Sequence, residues 1–354
     1  MSKSKKYIAY AGTYTLGNST GIHNFDVDVA AGRIIPKCET PIDNPSYIAV
    51  SYNGQFLYSI SDDGVHAYKI TNNGDLEYIN SSTIKGMRGC HISINKANTH
   101  LFVSGYHDGK ITVMSINEDG SIGYMTDEVY HKGMGSIADR NFRPHISCSA
   151  LTPDEEILCV CDLGIDQVKL YQFNAELGKI KLVDVIRTQL ESAPRQILFS
   201  ADGRFAYVVC ELKNVINVYS YNKDSKTRFE LVQTIFTIRS ERKKANTAAA
   251  CITFSPDGEF LLCSNAGDNS VTIYKVNKET GMLLLRSSLP VSGDYPKDIV
   301  FFPDGKHFVS LNHEANTITT FTINYERALI VMNGPILKID KPNNLVFVAL
   351  QHGN

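Results

Sequence analysis

The turn Ser255-Pro256-Asp257-Gly258, followed by the apolar stretch EFLLCSN, decides the fold because it recurs along the chain. Pro presets one backbone angle of such a turn, and Gly supplies the positive φ that another position requires. Phe302-Pro303-Asp304-Gly305 precedes KHFVSLN, and Ser200-Ala201-Asp202-Gly203 precedes RFAYVVCE. Weaker copies are found at Tyr52-Asn53-Gly54, Ala97-Asn98 and Pro153-Asp154. Equivalent positions are about 45 to about 56 residues apart, a period typical of a propeller blade.

The segments between these turns predict short strands. Apolar and polar residues alternate in FAYVVCEL, NVINVYSY and FELVQTIF, which are rich in Val, Ile, Tyr and Phe. Six whole units leave an incomplete unit at each end, YIAYAGTY with GIHNFDVD at the start and NNLVFVAL at the finish. The sequence therefore predicts an all-β, seven-bladed β-propeller of four-stranded antiparallel blades, with one blade closed by strands from both termini, in a single domain of residues 1–354.

Composition narrows the functional classes. The 354 residues carry a formal net charge of −2, which gives no electrostatic reason to expect a nucleic-acid or membrane partner. The one basic run, RSERKK from Arg239 to Lys244, is interpreted as a solvated loop. The start, MSKSKKYIAYAG, lacks the apolar segment of a signal peptide, and no stretch is long enough to cross a bilayer, so we expect a cytoplasmic protein.

The eight cysteines form no CxxC pair and are expected to be free thiols. No ligand triplet with recognisable spacing is present, so neither a metal nor a cofactor is predicted.

The repeat also serves as a ruler for locating a site. If each turn is a tight hairpin, the residue six before its Pro position and the residue ten after it lie across from each other at the far end of the blade. The first ring of such positions is Ser46, His91, Ser147, Arg195, Ala250 and Lys297, and the second is Asp62, His107, Leu163, Glu211, Ala266 and His313. Most of these positions are polar, whereas strands beside a closed channel would otherwise be apolar. The pattern predicts a functional site at this mouth of the central channel.

Arg195 and Glu211 fall in one blade and directly opposite each other in this construction. They are interpreted either as a general base beside an oxyanion-binding guanidinium, or as a cross-strand ion pair that only aligns the blade. Asp162 to Asp166, DLGID, is interpreted as a turn with Gly164 at positive φ and an Asp capping backbone amides.

The order of several motifs resembles the lactonase family of seven-bladed propellers, which includes 6-phosphogluconolactonases of propeller type and carboxymuconate cyclases. The resemblance covers the whole chain and rests on Tyr10–Thr15, Asn44–Tyr47, Pro144-His145, Asp162–Asp166, Ala193–Arg195, Glu211-Leu212 and Ser255–Gly258. It implies metal-free chemistry on a lactone, with Arg195 and Glu211 at the family's Arg and Glu positions. The chain departs from the family at Ser147 and Gln196, where His is usual, at Ala266 and Lys297, where Arg is usual, and at His313, where Gln is usual.

The function expected from the resemblance and the polar mouth is hydrolysis of a sugar-acid lactone, with or without a phosphate group. Glu211, Arg195 and His145 are the predicted catalytic residues, with Glu211 activating water and Arg195 stabilising the developing oxyanion. The predicted substrate-binding residues are His91, His107, Lys297, His313, Ser147 and Asp162. Two alternatives stay open: a catalytically silent propeller that binds a small acid or a protein partner, and a cyclase or isomerase that runs the reaction in the lactonising direction.

Overall fold

The structure, a computed structural model, describes residues 5–239 and 246–350. All regular elements of these two ranges are strands, and they form seven antiparallel sheets, which confirms the predicted seven-bladed propeller. Apart from Arg239, the basic run that ends at Lys244 lies outside the described residues. Within the described ranges, no helix long and apolar enough to span a membrane is present.

The strands are numbered in chain order, and the blades are numbered from the one that holds the N terminus. Blade 1 contains β1 (Tyr7–Thr13), β2 (Gly21–Asp28), β3 (Arg33–Pro41) and the last strand of the chain, β29 (Pro342–Ala349). Blade 2 contains β4 (Ile48–Val50), β5 (Phe56–Ser61), β6 (Gly64–Ile70) and β7 (Leu76–Ser82). Blade 3 contains β8 (His91–Ile94), β9 (His100–Gly105), β10 (Lys110–Ile116) and β11 (Ile122–Tyr130).

The other four blades follow the same order. Blade 4 contains β12 (Ile146–Leu151), β13 (Ile157–Asp162), β14 (Gln167–Asn174) and β15 (Lys179–Arg187). Blade 5 contains β16 (Pro194–Phe199), β17 (Phe205–Cys210), β18 (Val215–Tyr221) and β19 (Phe229–Phe236). Blade 6 contains β20 (Ala248–Phe254), β21 (Phe260–Ala266), β22 (Ser270–Val276) and β23 (Leu283–Pro290). Blade 7 contains β24 (Pro296–Phe301), β25 (His307–Asn312), β26 (Thr317–Asn324) and β27 (Leu329–Met332), and the short β28 (Leu337–Lys338) also pairs with β26.

The inner strands close the ring. Each of β29, β4, β8, β12, β16, β20 and β24 contacts the next one, and β24 contacts β29 again. A cluster of buried apolar side chains lies between each pair of neighbouring blades. Three strands of blade 1 come from the N terminus and its inner strand from the C terminus. The predicted closure by both ends of the chain is therefore confirmed.

The recurrent turn joins the first and second strands of a blade. Gly258 has φ +68°, and the Ser255 hydroxyl donates to Asp257 Oδ1 at 2.6 Å. In the weak copy of blade 4 the same position is held by Glu155 at φ +61°, and in blade 3 by Asn98 at φ +56°. Because the turns follow the inner strands, the starts of those strands meet at the opposite end of the channel.

Candidate active site

A cavity of about 330 Å³ lies at the channel mouth where the inner strands begin. Its walls combine cationic, aromatic, amide and thiol side chains. The lining residues are Tyr14, Ser46, Tyr47, Cys90, His91, Tyr106, His107, Arg140, Ser147, Cys148, Leu163, Arg195, Gln196, Ala250, Cys251, Tyr295, Lys297, Asp298, Asn343 and Asn344. All six residues of the first predicted ring are among them, but only His107 and Leu163 of the second ring.

A β-bulge at the start of the inner strand aims a side chain into the cavity in five blades. The register passes from Pro194↔Cys210 to Gln196↔Val209, so Arg195 has no partner across the sheet. An unpaired residue of this kind bends the strand and redirects its side chain, and bulges are common beside active sites. The unpaired residues of the five bulges are Ser147, Arg195, Ala250, Lys297 and Asn343.

The strand register and the bulge together correct the predicted pairing of Arg195 with Glu211. The two residues are not opposite each other, because the Glu211 amide donates to the Ala193 carbonyl at 2.8 Å. Their side chains nevertheless meet, with Arg195 Nη1 at 2.5 Å from Glu211 Oε2. Glu211 is fully buried behind the guanidinium, and Arg195 Nε donates to the Ala250 carbonyl at 2.8 Å. Arg195 therefore reaches from blade 5 to the inner strand of blade 6.

Arg140 is a site residue that the sequence prediction missed. It belongs to the loop between β11 and β12, outside the repeat, and its Nη1 lies 2.6 Å from Glu211 Oε1. This contact is a charge pair and not an aligned hydrogen bond, because Oε1 has no hydrogen-bond partner among the described residues. Arg140 Nε also donates to the Tyr106 hydroxyl at 3.3 Å. One buried carboxylate thus contacts two guanidinium groups on the cavity wall.

The predicted histidines divide into two groups. His91 and His107 line the cavity, and His91 Nε2 lies 3.6 Å from Cys148 Sγ. His145 is outside the lining: its ring stacks on Tyr106 with 4.3 Å between centroids, and its Nδ1 bonds the Tyr106 carbonyl at 2.8 Å. His313 lies behind Tyr14, with 5.8 Å between ring centroids. The structure therefore brings two of the four histidines to the cavity.

Asp162 is bound within blade 4 and does not line the cavity. Its Oδ1 accepts from the amides of His145 at 2.8 Å and Gly164 at 3.1 Å, and its Oδ2 lies 2.7 Å from His131 Nδ1. Both side chains of the His131 pair are fully buried. The Asp of the predicted turn does cap backbone amides, as expected. The predicted positive φ of Gly164 is wrong, and what requires glycine there is space, since a Cβ would meet the Arg143 carbonyl oxygen at 1.7 Å.

Asp62 and Ala266 do not line the cavity, and the side chains of Gln196 and Ser147, which do line it, are bonded to backbone groups. Asp62 is an exposed partner of Arg88, with Oδ1 2.6 Å from Arg88 Nη1. Ala266 is fully buried opposite Ala248 at the end of β21. Gln196 accepts from the Ile252 amide at 2.8 Å, which joins the inner strands of blades 5 and 6. Ser147 donates to the Arg195 carbonyl at 2.7 Å and so holds the bulge of the next blade.

Lys297 and Asp298 are neighbours on β24, and the pKa of each is shifted towards neutral pH. Burial, followed by the charge of Arg195, lowers the pKa of Lys297 to about 7. Burial raises the pKa of Asp298 to about 6. Lys297 Nζ donates to Asn343 Oδ1 at 2.5 Å, and it has no carboxylate within ion-pair distance among residues 5–239 and 246–350.

Two buried polar atoms on the cavity wall have no hydrogen-bond partner within the described ranges, namely Ser46 Oγ and Asn343 Nδ2. A buried polar group without a partner carries a desolvation cost that a ligand would remove. The same ranges contain no cluster of three or more His, Cys, Asp or Glu side chains placed to hold a metal ion.

Comparison with known proteins identifies the family of the chain. Residues 8–347 match the protein family described as lactonase, 7-bladed beta-propeller. A 6-phosphogluconolactonase of Bacillus subtilis (strain 168) is 32% identical over 299 residues, which cover 83% of this chain and 84% of that protein. The crystal structure of a candidate 6-phosphogluconolactonase from Bacteroides fragilis NCTC 9343 superposes with a TM-score of 0.89 and 28% identity, over 98% of this chain and 99% of the other. The periplasmic gluconolactonase PpgL of Pseudomonas aeruginosa superposes with a TM-score of 0.91 at 24% identity, over 98% of this chain and 100% of the other, a likeness of fold alone.

Proposed function

The chain belongs to the lactonase family of seven-bladed β-propellers, and we propose that it hydrolyses the lactone of a sugar acid, as its 6-phosphogluconolactonase relatives are named for doing. The observation that carries this proposal is the pair of guanidinium groups, Arg195 and Arg140, held at the cavity by the buried carboxylate of Glu211. Fixed cations in a site partly closed to water stabilise the negative charge that develops on a lactone carbonyl oxygen under attack.

Glu211 acts in this proposal mainly by holding the guanidinium groups. Each of its oxygens already contacts an arginine, at 2.5 Å and 2.6 Å. A buried carboxylate whose two oxygens are both held by guanidinium groups has no free oxygen with which to bind the attacking water. We therefore propose Arg195 as the oxyanion-binding residue and Glu211 as its positioning residue, a narrower role than the water activation expected from sequence.

The remaining wall suits a hydroxylated, anionic substrate. His91, His107 and Arg140 offer donors for a carboxylate or phosphate, and the unpartnered Ser46 hydroxyl and Asn343 amide suit sugar hydroxyl groups. His145 does not contact the substrate in this proposal but supports Arg140 indirectly. Its ring stacks on Tyr106, and the Tyr106 hydroxyl accepts a hydrogen bond from Arg140 Nε. These contacts support a phosphorylated lactone as the preferred substrate.

The test is the rate of 6-phosphogluconolactone hydrolysis above the spontaneous rate. We expect acceleration by the wild-type protein and a loss of at least about 100-fold in kcat for Glu211→Gln, the size seen when oxyanion stabilisation is removed. Glu259→Gln is the matched control, because Glu259 also pairs with two cations, Lys275 and Lys278, but lies beside the turn at the opposite end of the channel. Equal effects of the two substitutions on kcat would contradict the proposal.

A silent propeller that binds a small acid is the second candidate, favoured by Ala266 and Gln196. The first does not reach the cavity wall, and the second is bonded to the Ile252 amide, so neither supplies a reactive group. Calorimetric binding of 6-phosphogluconate without acceleration of any lactone would support this alternative. Formation of lactone from the free acid, followed under the same conditions, tests the reverse direction, which uses the same residues.

We propose a cytoplasmic location from the pattern of cysteine usage. Six of the eight thiols are buried. Cys148 and Cys161 lie opposite each other on β12 and β13, and both are free thiols. A thiol-rich chain of this kind suits a reducing compartment. Cell fractionation tests this location.

A further inference from the structure

The amine of Lys297 is a potential proton acceptor on the cavity wall, which the buried Glu211 does not line. Arg195 Nε donates to the Ala250 carbonyl of blade 6, and Lys297, the bulge residue of β24 in blade 7, extends its Nζ to Asn343 Oδ1 and the Tyr14 ring. Both residues line the same cavity. The cavity wall thus carries both a group suited to bind an oxyanion and an amine.

We propose that Lys297, as a neutral amine, is the general base that deprotonates the attacking water, and that its ammonium form then protonates the leaving ring oxygen. This inference rests on the proposed lactonase function. It replaces the substrate-binding role expected for Lys297 and the water activation expected for Glu211. An arginine at this position would still bind an anion but could not lose its proton at neutral pH.

The surroundings of Lys297 favour the uncharged amine. Its Nζ donates to the neutral amide oxygen of Asn343, and the positive charges of Arg195 and Arg140 disfavour another cation nearby. Burial lowers the pKa of Lys297 to about 7, near the optimum for proton transfer at neutral pH. The titratable groups that act on Lys297 from the surrounding elements are Tyr14, Cys90, Arg140, Arg195, Asp298, His313 and Glu314.

Lys297 takes up one proton and returns it within each reaction cycle. Lys297 Nζ takes a proton from water as the hydroxide oxygen bonds to the lactone carbonyl carbon, and Arg195 faces the resulting oxyanion. When the ring C–O bond breaks, the leaving alkoxide takes a proton from the Lys297 ammonium, which returns to the neutral amine. The product acid releases its own proton to solvent, so no other reactant is required.

The decisive variant is Lys297→Arg, which keeps a long cationic side chain but removes the titratable amine. We expect kcat at pH 7.5 to fall by about 100-fold or more with KM within about threefold of wild type, the usual size of general-base catalysis. For the wild type, we expect kcat corrected for spontaneous hydrolysis to rise with pH through a midpoint near 7, because the base must be unprotonated, and we expect this limb to be absent from the variant. Lys341→Arg is the matched control, since Lys341 pairs with Glu314 and does not line the cavity.

The outcomes separate this inference from the function on which it rests. A wild-type protein that accelerates no lactone overturns both, whereas an active wild type with a Lys297→Arg variant that retains kcat within about threefold overturns the inference alone. Should the variant not fold, competitive acylation of the wild-type protein across a pH series, read by mass spectrometry of the Lys297 peptide, decides the matter. A labelling midpoint near 7 supports the proposal, and a midpoint near 10, as for exposed lysines, overturns it.

Discussion

Arg140 is the residue that most alters the charge of the cavity relative to the sequence prediction. The resemblance implied an arginine where this chain has Ala266, and Arg140 from the loop between β11 and β12 reaches Glu211 beside Arg195. Its side chain remains 43% exposed, so its terminal nitrogens are accessible to a ligand. A second guanidinium is thus supplied from blade 3's outgoing loop and not from blade 6.

The Arg140→Gln variant tests whether this arginine selects for a phosphate group. We expect KM for 6-phosphogluconolactone to rise about tenfold and KM for unphosphorylated gluconolactone to change less than about threefold, because a partly exposed charge-assisted contact contributes about 1 to 1.5 kcal/mol. Steady-state kinetics on the two substrates give the ratio. Lys132→Gln in the same loop controls for the loss of one positive charge. An unchanged ratio between the substrates would disprove the assignment.

At the scale of elements, the loop that carries Arg140 is held by the turn after β13. A Cβ on Gly164 would meet the Arg143 carbonyl oxygen at 1.7 Å, and a Cβ on Gly135 would meet the Gly164 carbonyl oxygen at 2.2 Å. Loop and turn therefore pack backbone to backbone. A change at Gly164 acts on the position of Arg140 without touching the cavity.

Gly164→Ala and Gly258→Ala form a matched pair of glycine substitutions. Gly258 has φ +68° with no atom within 4 Å of the added Cβ, so its replacement costs about 1 kcal/mol of conformational strain and leaves kcat/KM unchanged. Gly164→Ala forces the backbone to move, and we expect a loss of about 2 kcal/mol in unfolding free energy together with a lower kcat/KM for the phosphorylated lactone. Urea denaturation and kinetics measure both effects. A Gly164 variant with normal kinetics would show that the loop position is set elsewhere.

The strands and loops also explain which parts of the fold and of the site could be predicted from the sequence alone. The repeated turn located the blades and the first ring, because a fixed period carries over from blade to blade. It could not reveal the register of the strands, which differs by one residue from the prediction, or the bulge, which adds a second, so that Ala193 and not Arg195 lies opposite Glu211. Nor could it find Arg140, which lies in a loop without a counterpart in the other blades, or Asn343, whose inner strand ends the chain and has no turn after it. A sequence repeat predicts the strand positions that all blades have in common, whereas the site also depends on residues such as Arg140 that have no counterpart in the other blades.

At the scale of the whole molecule, the last strand joins blade 1 to both of its neighbours. Asn344 uses its amide like a strand backbone, accepting from the Ile48 amide at 3.1 Å and donating to the Ile48 carbonyl at 2.9 Å. Leu345 packs in the cluster shared with blade 7, while Val348 and Leu350 pack in the cluster shared with blade 2. β29 therefore contributes to three sets of contacts at once, one within its blade and one on each side.

Removal of residues 342–354 is expected to abolish cooperative unfolding of the whole ring. Burial of Leu345, Val348 and Leu350 alone contributes about 1.5 to 3 kcal/mol per side chain, which together rivals the total stability of a typical domain. A synthetic peptide of residues 342–350 added in trans should restore a single thermal transition, and the same peptide with Leu345→Asp and Val348→Asp should not. Calorimetry follows both additions. A truncated chain that melts within a few degrees of the full-length protein would mean that six blades and three strands hold the ring without closure, and that the Asn343 and Asn344 side of the cavity is dispensable for the fold.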